Sequence, residues 1–242
     1  MISSTSEASL VVVVPTFNEA DNIKSLVTEL LALPCKPRIL IVDDNSPDGT
    51  GQIADRLAAT YPQRVLVKHR PQKQGLGRAY VDGLLIALAL GSTHIAQMDA
   101  DHSHRPQDLQ AMINRAISTD ADLVLGSRYI PGGNTVGWPK HRQWISRFGS
   151  WYSGKVLGVH VRDLTGGFKI WKRDLLAAID LASITSDGYS FQIETTWRAQ
   201  RHGAHIEQVP IVFHDRVAGA SKLSRAVVFE AAFVVWKLRM RR

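Results

Sequence analysis

The sequence predicts an α/β fold, a mostly parallel central sheet flanked by helices on both faces. Three observations predict it. Short runs rich in Val, Ile and Leu recur at residues 10–14, 39–42, 65–67, 94–98 and 123–125. Segments of helical period separate the runs. The runs are continuous rather than alternating, as strands buried on both sides require.

Between the first two runs lies NEADNIKSLVTELLAL, where Ile23, Leu26, Val27, Leu30 and Leu31 form a helical stripe. Asn18 is the expected N-cap and Pro34 the expected stop. Further helices fit residues 50–60, 76–90 and 106–118. After Arg128 the rhythm breaks. PGGNTVGWPKH, rich in Gly and Pro, reads as an exposed loop. A helix over 141–157, a short strand at 168–171, a helix at 191–201 and a strand at 206–213 follow. The tail from Lys222 is again helical and ends in KLRMRR. With no internal repeat and no low-complexity linker, the expected organisation is one domain (1–221) and a C-terminal basic amphipathic helix (222–242).

A chain of 242 residues suffices for one α/β domain with a full core. Its net charge of +7 suits an anionic partner, whether nucleotide, phospholipid surface or nucleic acid. Cys35 is the single cysteine, so no intrachain disulfide forms and a reducing compartment is expected. The N-terminus lacks a basic region followed by an apolar stretch, so no secretory leader is expected. No apolar run reaches the ~18 residues of a membrane-spanning helix.

The chemistry begins at DADHSH, residues 99–104, directly after the fourth run. Asp99 and Asp101 therefore stand at a strand's carboxyl end, where open α/β sheets bind ligands. Acids at i and i+2 can converge on one divalent cation, and Mg²⁺ and Mn²⁺ favour carboxylate with phosphate oxygen and water. The plainer reading is an acidic turn with Asp101 capping the next helix. DDNSPDGT, residues 43–50, places Asp43 and Asp44 at the same edge, although its turn formers explain it equally well. PTFNE after the first strand is neither a G-x-G-x-x-G nor a P-loop, which argues against dehydrogenases and P-loop NTPases. GLGR at 75–78 opens a helix that faces phosphate or merely starts there. His102, His104, His141 and His214 lack zinc-site spacing, and the Trp residues show no basic–aromatic nucleic-acid platform.

PTFNE, VDDNSPDGT, GLGRAY, MDADHSH, GSRY, DLTGGFK, GYSFQIE, VPIVFHDR and GASKLS occur in this order over nearly the whole chain. Together they resemble the family 2 glycosyltransferases of GT-A fold, and within them the polyprenol-phosphate (dolichol-phosphate) mannose synthases. The resemblance implies an inverting transfer of mannose from GDP-mannose to a polyprenyl phosphate. It implies that Pro15, Phe17, Glu19, Val42 and Asp44 hold the nucleoside. Asp99, Ala100 and Asp101 would meet the donor diphosphate, with Mg²⁺ or Mn²⁺ on the two acids. Ser103 stands where some relatives carry Gln as a third metal ligand, and is a weaker ligand. Arg128, Arg142 and Ser146 would receive the acceptor phosphate, and Arg216 and Lys222 would close over the diphosphate. Glu194 is either a site carboxylate or structural. These roles make chemical sense, because a phosphate acceptor is already ionised and needs no strong general base.

Two segments bear on location. Trp138, beside the implied acceptor site, either touches lipid or packs ordinarily. The tail AVVFEAAFVVWKLRMRR is too short to span a bilayer. It either lies at a membrane with Lys237, Arg239, Arg241 and Arg242 near headgroups, or docks on the domain or a separate membrane-anchoring protein. The expected place is peripheral, on the cytoplasmic face. Competing functions are a polyprenyl-phosphate glucosyl- or N-acetylhexosaminyltransferase using a UDP-sugar, a sugar nucleotidyltransferase, and a non-enzymatic nucleotide-sugar binder. The nucleotidyltransferase would need a Gly-rich basic loop after the first strand. The binder would be expected to lose Asp99, Asp101 or the arginines. No nucleic-acid partner is expected.

Overall fold

The structure, a computed structural model, describes residues 8–215 and 225–240. Arg216, Lys222, Arg241 and Arg242 lie outside the described residues, and so does the boundary expected at 221/222.

The chain alternates strand and helix through its first half: β1 (Leu10–Thr16), α1 (Ile23–Leu31), β2 (Arg38–Asp43), α2 (Thr50–Thr60), β3 (Val65–His69), α3 (Leu76–Ala89), β4 (His94–Gln97), α4 (Pro106–Thr119) and β5 (Leu123–Ser127). Then come β6 (Asn134–Val136), α5 (Lys140–Leu157), β7 (Lys169–Lys172), α6 (Arg173–Ala178), α7 (Gly188–Arg201), β8 (Ile206–Pro210), β9 (Val212–His214) and α8 (Arg225–Met240). The main sheet runs β3-β2-β1-β4-β7-β5-β8, and every strand is parallel to its neighbours except β7.

Sheet burial explains the continuous apolar runs. Val12 and Val14 of β1 join the core beneath α1, α2 and α4, with Leu26 and Met112. Val11 and Val13 join the opposite core beneath α3 and α7, with Tyr80, Leu84 and Phe191. All four valines are fully buried. Burying each is worth about 1.5–3 kcal/mol.

The antiparallel β7 shapes the site. It lies between β4 and β5, pairing Ala96 and Val124 with the same Ile170. The carboxyl ends of β4 and β5 are therefore separated by two strand spacings, roughly 10 Å. The segment leading into β7, Thr165 to Gly167, enters that gap from the same edge.

Several local expectations are corrected. Asn18 is not an N-cap: it sits at φ 60°, donates its N–H to Ser46, and leaves Asn22 to start α1. Asn tolerates this left-handed geometry better than most side chains. α1 closes at Ala32, before Pro34 is reached. The strand expected at 206–213 breaks at Ile211, whose N–H donates to Ser127 O, giving β8 and β9. The Gly/Pro-rich loop contains β6, which pairs in parallel with β9. Helix α6 was not expected. α7 starts at Gly188, three residues earlier than its apolar stripe indicates.

Candidate active site

Two adjoining cavities open at the carboxyl edge of the sheet. The smaller, about 80 Å³, is lined by Pro15, Phe17, Glu19, Asp44, Ala100 and Asp101 among others. The larger, about 470 Å³, includes His104, Arg128, Trp138, Arg142, Thr165 and Gln192 in its wall. Lys73, Leu76 and Asp99 line both, so they mark the junction.

Backbone turns fix the acids of the smaller cavity. Asp43 is buried and accepts from Thr16 Oγ1 and from both N–H and Oγ of Ser46, which tightens the turn after β2. Asp44 forms an ion pair with the buried Arg70, which also reaches Asp82 and Gln74. Asp48 accepts from Thr50 at the start of α2 and from the Ala20 N–H, joining this turn to the one after β1. Lys73 lies over the Phe17 ring at 3.6 Å, a cation–π contact across the cavity's mouth. Val42 sits in the core against α3 rather than on the cavity wall.

Asp99 and Asp101 follow β4. Tyr80, fully buried and stacked on Phe191, donates to Asp99 Oδ1 at 2.8 Å. Burial, reinforced by the neighbouring Asp99 charge, pushes the Tyr80 phenol well up, so it stays a donor. Asp101 Oδ1 accepts the Ser103 N–H at 3.1 Å. Asp101 does not cap α4, whose N-cap is Arg105. Ser103 Oγ is buried and has no hydrogen-bond partner among the described residues. His104 Nδ1 accepts the Asp99 N–H at 3.2 Å, between Phe168 stacked on its face and Phe213 at its edge. Burial pushes this imidazole down, so it is neutral near pH 7 and carries its proton on Nε2. The carboxylates of Asp99, at the junction, and Asp101, on the smaller cavity, form an oxygen donor set that suits Mg²⁺ or Mn²⁺ completed by substrate oxygens. Among the described residues there is no cluster of three or more His, Cys, Asp or Glu for a metal.

The larger cavity is held by long-range side-chain pairs. Arg128 meets Asp163 in a two-pronged ion pair, with Nε at 2.7 Å and Nη2 at 2.6 Å, and its backbone N–H joins the same carboxylate. Burial works against the guanidinium charge, but Asp163 outweighs it and raises the Arg128 pKa further. Arg128 Nη2 also reaches Thr165 Oγ1, which lies 3.3 Å from Ser146 Oγ and 3.2 Å from Ser150 Oγ. Arg142 lies 4.0 Å over the Trp138 ring and donates from Nη1 to Asp215 at 2.9 Å. Its Nε has no partner among the described residues, and neither has Trp138 Nε1 or Gln192 Oε1. Donors and acceptors without partners around one cavity suit a polar ligand. Trp138 is buried, so it packs rather than reaching lipid.

Other assignments resolve simply. Glu194 pairs with Arg198 and accepts from Ser186 Oγ, outside both cavities. The α3 N-terminus faces a carboxylate of its own chain, because Gly77 N–H donates to Asp187. A Cβ at Gly75 would fall 2.2 Å from Asp187 Oδ2, so glycine is needed for that approach.

The structure thus gathers Pro15, Phe17, Glu19, Asp44, Asp99, Ala100 and Asp101 on one cavity. It places Arg128 and Arg142 on the other, with Ser146 joined to Thr165 behind its wall. Sequence reasoning missed Lys73, Tyr80, His104, Asp163, Thr165 and Gln192. Tyr80, His104, Asp163, Thr165 and Gln192 stand inside motifs already noted, and that was the available signal.

Comparison with known proteins decides the family. The model of glycosyl transferase family 2 matches residues 11–180, more than two thirds of the chain. The chain belongs to glycosyl transferase family 2. It is 43 % identical over 232 residues to the polyprenol monophosphomannose synthase of Mycolicibacterium smegmatis, covering 95 % of this chain and 87 % of that protein. It is 43 % identical over 231 residues to the undecaprenyl-phosphate mannosyltransferase of Micrococcus luteus, covering 95 % and 94 %. Among solved structures, it resembles the glucosyl-3-phosphoglycerate synthase of Mycobacterium tuberculosis with Mn²⁺, UDP and phosphoglyceric acid. That likeness has a TM-score of 0.69 and 18 % identity over 97 % of this chain and 78 % of that one. It also resembles the mannosyltransferase PcManGT of Pyrobaculum calidifontis with GDP-Man and Mn²⁺. Here the TM-score is 0.63, with 17 % identity over 98 % and 66 %. The expected GT-A fold is borne out, and the family 2 chain is a glycosyltransferase.

Proposed function

We propose that this family 2 glycosyltransferase moves mannose from GDP-mannose to a polyprenyl monophosphate with inversion, giving polyprenyl-phosphate mannose. The observation that carries the reading is the junction at Asp99. A cavity whose acids suit a divalent cation, with Lys73 beside them, meets an arginine-lined one there, an arrangement that supports bringing two anionic substrates end to end. The two relatives at 43 % identity are named for mannosyl transfer to polyprenyl phosphates, which supports both sugar and acceptor.

In this reading the smaller cavity takes the nucleoside end, with Pro15, Phe17, Glu19 and Asp44 around it, and Lys73 stands beside the diphosphate. Asp99 and Asp101 would hold Mg²⁺ or Mn²⁺, which lowers the cost of charge on the leaving diphosphate. The acceptor phosphate lies in the larger cavity against Arg142, with Arg128 and Thr165 shaping its floor. An acceptor oxygen attacks C1 of mannose from the face opposite the diphosphate. The C1–O bond breaks, and its electron pair leaves with GDP. No proton need be removed from the acceptor, so positioning and charge neutralisation carry the catalysis. Arg suits this, since its planar fork matches phosphate oxygens. Arg216 and Lys222, outside the described residues, are proposed to close over the diphosphate on the strength of the resemblance alone.

No helix among the described residues is long and apolar enough to cross a membrane. We place the enzyme peripherally on the cytoplasmic face, where a water-soluble donor meets a lipid acceptor. The test is incubation of purified protein with Mg²⁺ or Mn²⁺, a short polyprenyl phosphate and a panel of GDP- and UDP-sugars. Mass spectrometry of the lipid product should show a hexose added from GDP-mannose. A product formed only from a UDP-sugar would overturn the sugar assignment.

A further inference from the structure

Trp138 is the meeting point of the two arginines that line the larger cavity. Arg142 lies 4.0 Å and Arg128 5.3 Å from the centroid of its indole ring. Each guanidinium also has its own carboxylate, Asp215 for Arg142 and Asp163 for Arg128. The ring face attracts a cation without neutralising it, so it adds hold on both arginines while leaving their charge for an anion. Phe213 meets the ring in a T-shaped contact at 5.2 Å. The backbone is fixed on both sides. Gly137 adopts φ 82°, a left-handed geometry that glycine takes readily, and Asp215 N–H donates to Val136 O at 2.8 Å. Pro139 follows with φ −65° and starts α5, and Gln143 Nε2 donates to the Trp138 carbonyl at 3.1 Å. These contacts fix where the indole stands in the cavity wall.

The ring packs against protein, and its N–H is left over. Trp138 is 6 % exposed, and its Nε1 is buried with no hydrogen-bond partner among the described residues. Two other indoles are paired: Trp171 Nε1 donates to Gln97 Oε1 and Trp236 Nε1 to Tyr152 Oη, both at 2.7 Å. A buried N–H without an acceptor weakens the fold, and a phenylalanine ring would stack on the arginines without that cost. Such a donor beside a cavity suits a ligand oxygen. The chemistry of the two groups agrees. An indole N–H only donates, and the oxygens of an ionised phosphate accept. Arg142 Nε, also buried and without a partner among the described residues, suits the same ligand.

We propose that Trp138 is a further binding residue for the acceptor phosphate: its ring holds Arg142 and Arg128 around the larger cavity, and its N–H donates to a phosphate oxygen. The inference rests on the larger cavity taking the acceptor phosphate, as proposed above. The test is Trp138→Phe, which keeps an aromatic face for the arginines while removing the N–H. With GDP-mannose and Mg²⁺, kcat/KM for a short polyprenyl phosphate falls about three- to tenfold, the value of one neutral hydrogen bond, and mostly through KM. GDP affinity, measured by calorimetry, stays within about twofold. Trp138→Leu removes the ring as well, and the fall reaches roughly thirtyfold or more. A second measurement separates binding from packing. The indole N–H resonance of Trp138, assigned by its loss in Trp138→Phe, shifts when the short polyprenyl phosphate is added and stays in place when GDP is added. Equal acceptor use by wild type and Trp138→Phe, or a resonance unmoved by the lipid phosphate, would overturn the inference and leave the functional reading standing. A resonance that moves with GDP, with GDP affinity falling as far as acceptor use, would assign the N–H to the donor diphosphate and overturn the inference as well. A wild type that neither binds nor uses any polyprenyl phosphate would overturn the functional reading, and this inference with it.

Discussion

The two walls of the cleft are held by different kinds of interaction. On the smaller cavity, the acids are held from within the β1–β4 half of the chain, Asp101 by Ser103, Asp99 by Tyr80 and Asp44 by Arg70. On the larger cavity, the arginines are held by residues far along the chain, Asp163 for Arg128 and Asp215 for Arg142. The first wall is set once the sheet forms. The second exists only when β7, α5 and the segment after β9 have packed. Such a division suits a constant nucleotide end and an acceptor end that can vary without disturbing it.

The largest expected effect is at the junction. Asp99→Asn or Asp101→Asn should lower kcat at least about a hundredfold, since a charge stabilising the leaving group is lost. EDTA should do the same to wild type. Full activity in EDTA would remove the metal and collapse the distinction between the walls.

Next comes the buried pair behind the acceptor wall. Asp163→Asn leaves the Arg128 guanidinium buried without its counter-ion. The expected loss is about 3–5 kcal/mol of stability, read by denaturant unfolding. A loss below 1 kcal/mol would show that Arg128 is wetter than its burial indicates.

Tyr80→Phe removes one hydrogen bond to Asp99 and nothing from the acceptor wall. Transfer should fall about three- to tenfold, the value of a single bond, with acceptor KM unchanged. A change in acceptor KM instead would show that the walls are not independent.

A separate effect, on stability rather than transfer, concerns Lys169, fully buried on β7 and donating to Gln192 O and Thr195 Oγ1. Burial lowers its pKa well below that of an exposed lysine, against a smaller opposing pull from Asp163. Between the lowered folded pKa and the ordinary unfolded one, the unfolded chain binds more protons. Stability through this group therefore rises with pH across that window, by at most about 1.4 kcal/mol per pH unit. Lys169→Met should flatten that slope in unfolding curves taken at several pH values.

The same contrast explains what the sequence disclosed. PTFNE, DDNSPDGT and DADHSH could be placed at one sheet edge because each directly follows an apolar strand run. The direction of β7 could not, since a four-residue strand carries no mark of its neighbours. Asp163 and Thr165 stood inside a recognised motif, yet their partner Arg128 is 35 residues away. Trp138 lay in a Gly/Pro-rich loop and became buried because Arg128 and Phe213 arrive from elsewhere. Helix α5 misleads in a further way. Trp144, Phe148 and Trp151 form a helical stripe that is exposed, whereas Ser150, Ser153, Gly154 and Leu157 are buried.

The division of labour between the walls is tested most directly on Arg142→Ala. In the proposed reading the variant loses a charge-assisted contact to the acceptor phosphate, worth roughly 1.5–3 kcal/mol. kcat/KM for a short polyprenyl phosphate should fall at least about tenfold. GDP affinity, measured separately by calorimetry, should stay within about twofold of wild type. If GDP binding weakens as strongly as acceptor use, Arg142 serves the donor and the assignment of the two walls is contradicted.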